Sequence, residues 1–143
     1  MGRMDGTVAL ITGGAEAFGA VIVRIGSMLA LLPSANFASY SASKAGVTAL
    51  TKTIASDCTA RGVPIRANVV HPGAIRTPTY ESYQNAGPGT PEEVERAVAA
   101  THPMSRIGQA EEVACAVVFF ASENFRFNSG GDPTVNGGGA IRA

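Results

Sequence analysis

Short runs of contiguous apolar residues alternate along this chain with longer segments in which small and apolar residues recur every three or four positions. Val8-Ala9-Leu10-Ile11 is one such run and ends in Thr12-Gly13-Gly14, the pattern of a buried strand entering a glycine turn. Val21-Ile22-Val23-Arg24-Ile25 is β-branched, stops at Gly26-Ser27, and predicts a second strand. Ser39 to Arg61 predicts a helix, with Ala42, Ala45, Ala49, Leu50 and Ile54 in periodic positions and Gly62 just beyond its end. Ile65 to Val70 predicts a third strand, halted by His71-Pro72-Gly73. Residues 76–90 hold Pro78 and Pro88 with Gly87, Gly89 and several Ser, Thr and Asn, and predict a loop. Thr90-Pro91-Glu92-Glu93 then opens a helix, Gln109 to Ser122 predicts another, and the glycine-rich stretch 130–139 holds one short strand around Thr134-Val135. Strands alternating with helices predict an α/β fold with a mainly parallel sheet.

Composition narrows the choice of partners. At 143 residues a single domain, 1–143, is expected, divided into 1–20 (first strand and glycine turn) and 21–143. Eleven basic residues balance eleven acidic ones, so no charge draws the chain to nucleic acid or to an anionic membrane. The longest apolar stretch, Ala17 to Leu32, is interrupted by Gly19, Arg24 and Gly26 and is too short to span a bilayer. The N-terminus does not have the make-up of a signal peptide. Cys58 and Cys115 have neither disulfide nor metal spacing, and His71 and His102 have no ligand companions, so no metal is expected. A soluble cytoplasmic protein is the expectation.

The sharpest chemical feature is Tyr40-Ser-Ala-Ser-Lys44. On a helix this spacing puts phenol and ammonium one turn apart on one face, where the cation favours the phenolate needed for general acid/base work. Thirteen positions earlier Ser27 ends a predicted parallel strand, and Pro72-Gly73-Ala74-Ile75-Arg76-Thr77 follows another. Such strand ends are where open α/β sheets bind ligands.

With these residues in view the chain resembles the short-chain dehydrogenase/reductase family, in two blocks that cover nearly all of it. Gly6-Thr7-Val8-Ala9-Leu10-Ile11-Thr12-Gly13-Gly14 through Gly19 is similar to the first strand and cofactor turn of that family. From about Val21 onward the serine strand, the YSASK helix, the Asn68…Pro72-Gly73…Thr77 segment and Val135-Asn136-Gly137-Gly138 follow in family order. The wording of 55–78 is most similar to the hydroxysteroid and alicyclic-alcohol dehydrogenase branches. The resemblance implies hydride transfer between NAD or NADP and a small secondary alcohol or ketone. Within it, Tyr40 exchanges the proton at the substrate oxygen and Ser27 hydrogen-bonds that oxygen. Lys44 supports the Tyr40 phenolate and binds the nicotinamide ribose. Thr12, Gly13 and Gly19 are implied at the pyrophosphate, and Pro72, Gly73, Ile75 and Thr77 in the nicotinamide loop, with Ile75 and Thr77 on the carboxamide.

The chain departs from the family pattern in its first third. No Asp or Glu lies between Glu16 and Asp57 to read the adenine ribose, Ala17 replaces a motif glycine, and the family's NNAG segment does not precede the serine strand. About three βα units are absent, roughly a hundred residues at about 30 per step, which predicts a truncated Rossmann-like sheet with flanking helices. Parallel neighbours need a crossover of about a dozen residues, and the interval from Ile11 to Val21 is shorter. Three outcomes follow for the first two strands: an antiparallel hairpin, exchange between chains in an intertwined dimer, or conversion of Ala15–Leu32 to helix. Arg24 in a strand buried on both faces would be costly, so that strand should be exposed on one side. Bare apolar surface predicts a homo-oligomer. Two functions remain open: an NAD(P)-dependent oxidoreductase, or a non-catalytic descendant that binds, oligomerises or does nothing.

Overall fold

The computed structural model describes residues 8–11, as backbone, and 20–141. Strand β2 (Ala20–Ile25) and strand β3 (Ile65–Pro72) run parallel at the centre, with Ala20 opposite Ile65 and Ile25 opposite Val70. Strand β1 (Val8–Ile11) flanks β2, and β6 (Thr134–Val135) flanks β3, giving the order β1-β2-β3-β6. The β3–β6 pair is parallel, with His71 opposite Thr134. The β1–β2 pair is antiparallel, with Val8 opposite Arg24 and Ile11 opposite Val21. A parallel pair, β4 (Ile75–Arg76) with β5 (Gly108–Gln109), forms a separate small sheet. The fold is α/β with a mainly parallel sheet and flanking helices. The first two strands take the hairpin among the three expected outcomes, and the strand at Ala20–Ile25 overturns the helical one.

Two helices cover the sheet. Helix α2 (Ala38–Ala60) packs on β3, and α5 (Ala110–Ala121) packs on β2 and β3. Val21, Val23 and Val70 meet Val117 and Phe120 of α5 in the main core cluster. By strand alternation Val69 and His71 face the opposite side. β3 is buried from Ala67 to His71, as a central strand covered on both faces must be. β2 instead alternates over residues 21–24: Val21 and Val23 are buried while Ile22 and Arg24 are half-buried, so the side expected to be exposed is partly covered. Arg24 Nε has no hydrogen-bond partner among the described residues.

The ends of these helices are set by local chemistry. α2 stops in a Schellman arrangement: Gly62 takes φ +65°, its N–H donates to Thr59 O at 3.2 Å, and Val63 N donates to Cys58 O at 2.9 Å. Helix α4 (Pro91–Ala99) begins in a capping box between Thr90 and Glu93. The last carbonyls of α5 accept from Arg66 of β3, at 3.0 Å from Phe120 O and 3.3 Å from Ser122 O.

One sequence expectation needs correction. Within the loop expected at 76–90 the chain forms helix α3 (Pro78–Ala86). Thr77 caps it by accepting from Tyr80 N, Pro78 occupies the first turn where a missing N–H costs nothing, and Glu81 favours the positive end. The turn-forming composition thus belongs to the helix start. On α2, the periodic residues Ala42, Ala45, Ala49 and Leu50 face outward, and the buried positions are Ser41, Thr51 and Ala55. Alanine-rich periodicity marks a helix without stating which face is covered.

Candidate functional site

Because β2, β3 and β6 are parallel, Ser27, Pro72-Gly73 and Asn136 follow strands that end on one edge of the sheet. Ser27 is 7% exposed and caps the short helix α1 (Met28–Leu31), its Oγ accepting from Leu29 N at 3.2 Å. Gly26 N donates to Val70 O at 2.8 Å, which continues the β2–β3 ladder to the corner. α1 packs on α2. Tyr40 lies in the first turn of α2 and is 44% exposed, and Lys44 lies one turn further on. Lys44 Nζ stands 5.6 Å from the Tyr40 ring centroid, within cation–π range. The same Nζ donates to Ile25 O at 3.2 Å, so it ties the tyrosine helix to the backbone two residues before Ser27. Burial pulls the Lys44 pKa below the ordinary lysine value.

The loop after β3 is tightly packed. Gly73 N donates to Val135 O at 3.0 Å, and a Cβ on Gly73 would lie 2.7 Å from His102 Nε2. Buried His102 accepts from Ala74 N through Nε2 at 3.2 Å while its Nδ1 lies 3.0 Å from Val98 O, so it serves as a brace for this loop. Pro72 lies opposite Val135, and Ile75 opposite Gly108. Thr77 caps α3. Thr12, Gly13, Gly19 and Ala17 lie outside the described residues. The flanking residues are described: Ala20 begins β2 and Ile11, the last residue of β1, pairs with Val21, so both lie at the end of β2 opposite to Ser27.

Sequence reasoning passed over several neighbours of the site. Buried His71 touches the backbone of Ser27. Its position before Pro72-Gly73 in a strand buried on both faces was the available signal. Phe37 precedes Tyr40 by three positions and lies 6.1 Å, centroid to centroid, from Tyr83 of α3, which in turn lies 6.4 Å from Tyr80. That aromatic group became visible only when residues 78–86 proved helical. Arg76 pairs with Glu95, which also accepts from Gln84, and so joins β4, α3 and α4. A cleft of about 390 Å³ is lined by Ile75, Met104, Glu112 and Asn136, among others. A larger open depression of about 570 Å³ lies between Lys52–Ala60 and Ser129-Gly130. Neither is lined by Ser27, Tyr40 or Lys44. Among the described residues no group of three His, Cys, Asp or Glu is placed to hold a metal, and no helix is long and apolar enough to cross a membrane.

A family model described as enoyl-(acyl carrier protein) reductase matches residues 5–139. The chain belongs to the short-chain dehydrogenase/reductase family. It is 37% identical over 119 residues to a cyclohexanol dehydrogenase of Acinetobacter, a match covering 83% of this chain and 43% of that protein. It is 32% identical over 123 residues to an NADP-dependent (R)-specific alcohol dehydrogenase of Lentilactobacillus kefiri, over 86% of this chain and 46% of that one. The ligand-free structure of Thermoplasma acidophilum aldohexose dehydrogenase superposes with a TM-score of 0.80 at 36% identity, over 89% of this chain and 50% of that one. The chain therefore spans about half the length of the family members it matches, and its Rossmann-like fold is truncated relative to theirs.

Proposed function

We propose that this chain carries the proton-transfer and nicotinamide half of an NAD(P)-dependent oxidoreductase acting on a secondary alcohol or ketone. The observation that carries this reading is the position of Lys44, which contacts the Tyr40 ring and the Ile25 carbonyl beside Ser27 at once. Lys44 thereby links the tyrosine helix to the strand end that precedes Ser27. Their donor chemistry fits the polar side of a nicotinamide nucleotide: Lys44 keeps N–H donors beyond the bond to Ile25, and the loop of Pro72, Gly73, Ile75 and Thr77 follows the neighbouring strand. The adenine side has no matching acidic residue in this sequence, so the choice between NAD and NADP has no basis in the residues present.

When bound, the nicotinamide supplies or takes up the hydride. The chain's own residues handle the proton. In alcohol oxidation the Tyr40 oxygen takes the hydroxyl proton while the carbinol C–H bond breaks and the C=O bond forms; in reduction it returns that proton. Ser27 already accepts from Leu29 N, so its hydroxyl hydrogen is directed to a further acceptor, the substrate oxygen. Lys44 brings its positive charge to 5.6 Å from the Tyr40 ring centroid. The exposed Phe37, three positions before Tyr40, and Tyr83, whose ring lies 6.1 Å from that of Phe37, suit an apolar cyclic substrate. The free Cys58 and Cys115 agree with a cytoplasmic setting. The outward Ala42–Leu50 stripe of α2, together with exposed Val118 and Phe119 on α5, supports a homo-oligomer, with an intertwined dimer as one form.

A second reading, a non-catalytic descendant that binds or oligomerises, is favoured by the hairpin. Ile11 and Ala20 sit about 20 Å along β2 from its Ser27 end, at about 3.3 Å per residue. Titration calorimetry with NADH and NADPH, on wild type, Tyr40→Phe and Lys44→Ala, separates the two. Saturable binding weakened by Lys44→Ala, with turnover of alicyclic alcohols abolished by Tyr40→Phe, is expected. No binding of either nucleotide at millimolar concentration would leave the second reading.

A further inference from the structure

His71 lies against Ser27 and has no place in the proposed chemistry. It is fully buried at the end of β3, opposite Thr134. Its Nδ1 lies 2.8 Å from Ser27 O and 3.2 Å from Ser27 N. One nitrogen cannot serve both contacts. The shorter one assigns the proton to Nδ1, since two lone pairs at that distance would repel. Nε2 then carries the lone pair, and it is buried without a partner among the described residues.

This arrangement costs something, because an unsatisfied buried acceptor is unfavourable. An aliphatic side chain would fill the same volume and strand no polar atom. What the imidazole adds is a fixed contact to the Ser27 carbonyl. The backbone accommodates the ring closely: a Cβ on Gly26 would lie 2.6 Å from Nδ1 and 2.8 Å from Cε1. The β2–α1 corner is thus held at three consecutive residues, by Lys44 at Ile25 O, by Val70 at Gly26 N and by His71 at Ser27 O. The first two contacts stop before Ser27. His71 contacts Ser27 itself, and Leu29 N donates to the Ser27 hydroxyl oxygen.

We infer that His71 is a positioning residue for Ser27: its Nδ1–H fixes the Ser27 peptide so that the Oγ hydrogen points at the substrate oxygen. The inference rests on the oxidoreductase reading for its catalytic consequence, and on the distances between His71 and Ser27 alone for the contact. It acts through Ser27 and touches neither substrate nor cofactor.

The test compares His71→Leu, which keeps volume and loses the donor, with His71→Asn, which puts an amide N–H near the Nδ1 position. A misplacement of about 1 Å can cost about a hundredfold in rate. His71→Leu should therefore lower kcat by about that factor, with the calorimetric affinity for NADH or NADPH unchanged, and His71→Asn should restore most of it. The nitrogen-15 spectrum of the wild-type imidazole should show the Nδ1–H tautomer. Hydrogen exchange at the Ser27 amide should accelerate in His71→Leu and stay slow in His71→Asn. An Nε2–H tautomer, equal losses in both variants, or unchanged kcat in His71→Leu would overturn the inference. If the wild type shows no turnover, the oxidoreductase reading fails separately, and the Ser27 exchange rates alone decide: different rates in the two variants support the positioning contact, equal rates overturn it.

Discussion

Gly26 shows how little room the serine corner leaves. A methyl group there would meet His71 Nδ1 at 2.6 Å and Val69 Cγ2 at 3.0 Å, both in the packed interior. Gly26→Ala should cost about 1–3 kcal/mol by overpacking, measurable by urea unfolding. The neighbouring imidazole gives a pH signature. Burial lowers the His71 pKa, opposed by the bond to Ser27 and by Asp132, and assisted by Lys52. With the folded value depressed, the unfolded chain binds the proton first as pH falls. The stability contributed by neutral His71 is thus complete above the unfolded value near 6.5 and declines below it. Thermal unfolding between pH 7.5 and 5.5 should show a drop in Tm that His71→Asn diminishes; an unchanged drop would remove His71 as its source. The tyrosine and lysine of this site were legible because helical spacing alone brings them together. His71 was not, since its role depends on a partner 44 positions away.

At the level of elements, caps decide where helices begin and end, and they can be tested one at a time. Thr77 is the cap of α3, so Thr77→Ala should destabilise by about 1 kcal/mol. The same substitution bears on the proposed carboxamide contact, and a loss of nucleotide affinity larger than the loss of stability would separate the two effects. Arg66 holds the carbonyl end of α5. Arg66→Met keeps the aliphatic stem and should cost about 1.5–3 kcal/mol, the range for hydrogen bonds from a charged donor. Glu112 at the start of α5 accepts from Arg106 and from Gln109 N, which hold its carboxyl at about 2. Its contribution is present above the ordinary carboxylate range and is lost as pH falls toward that value. Most element boundaries could be read in advance from Gly62, Thr90-Pro91 and the strand-ending prolines. α3 could not, because Thr77-Pro78 has the same composition in a turn as in a helix start, and only the Tyr80 amide bond distinguishes them.

For the whole molecule the consequential feature is the pairing of β1. Running antiparallel to β2, it places the two ends of the 12–19 interval away from Ser27. Tyr40 meanwhile remains exposed to solvent. A cofactor site assembled from both halves therefore calls for more than one copy or for further chain. Light scattering should show a defined dimer or tetramer, and Phe119→Glu, which adds charge to the exposed face of α5, should shift the mass downward. A monomer of unchanged mass in both proteins would remove that face from the assembly.

Sequence by itself determined the family, the α/β alternation, most helices, and the Tyr40–Lys44 pair, since these depend on local periodicity and on spacing within one helix. It also bounded the first two strands to three arrangements, through the crossover length. Only the tertiary structure decided which face of α2 is covered, that β1 turns back along β2, and that Lys44 fastens the backbone at Ile25 and His71 at Ser27. Those outcomes depend on which surfaces remain to be buried once β2 and β3 have paired, and burial is a property of the assembled chain, not of any segment within it.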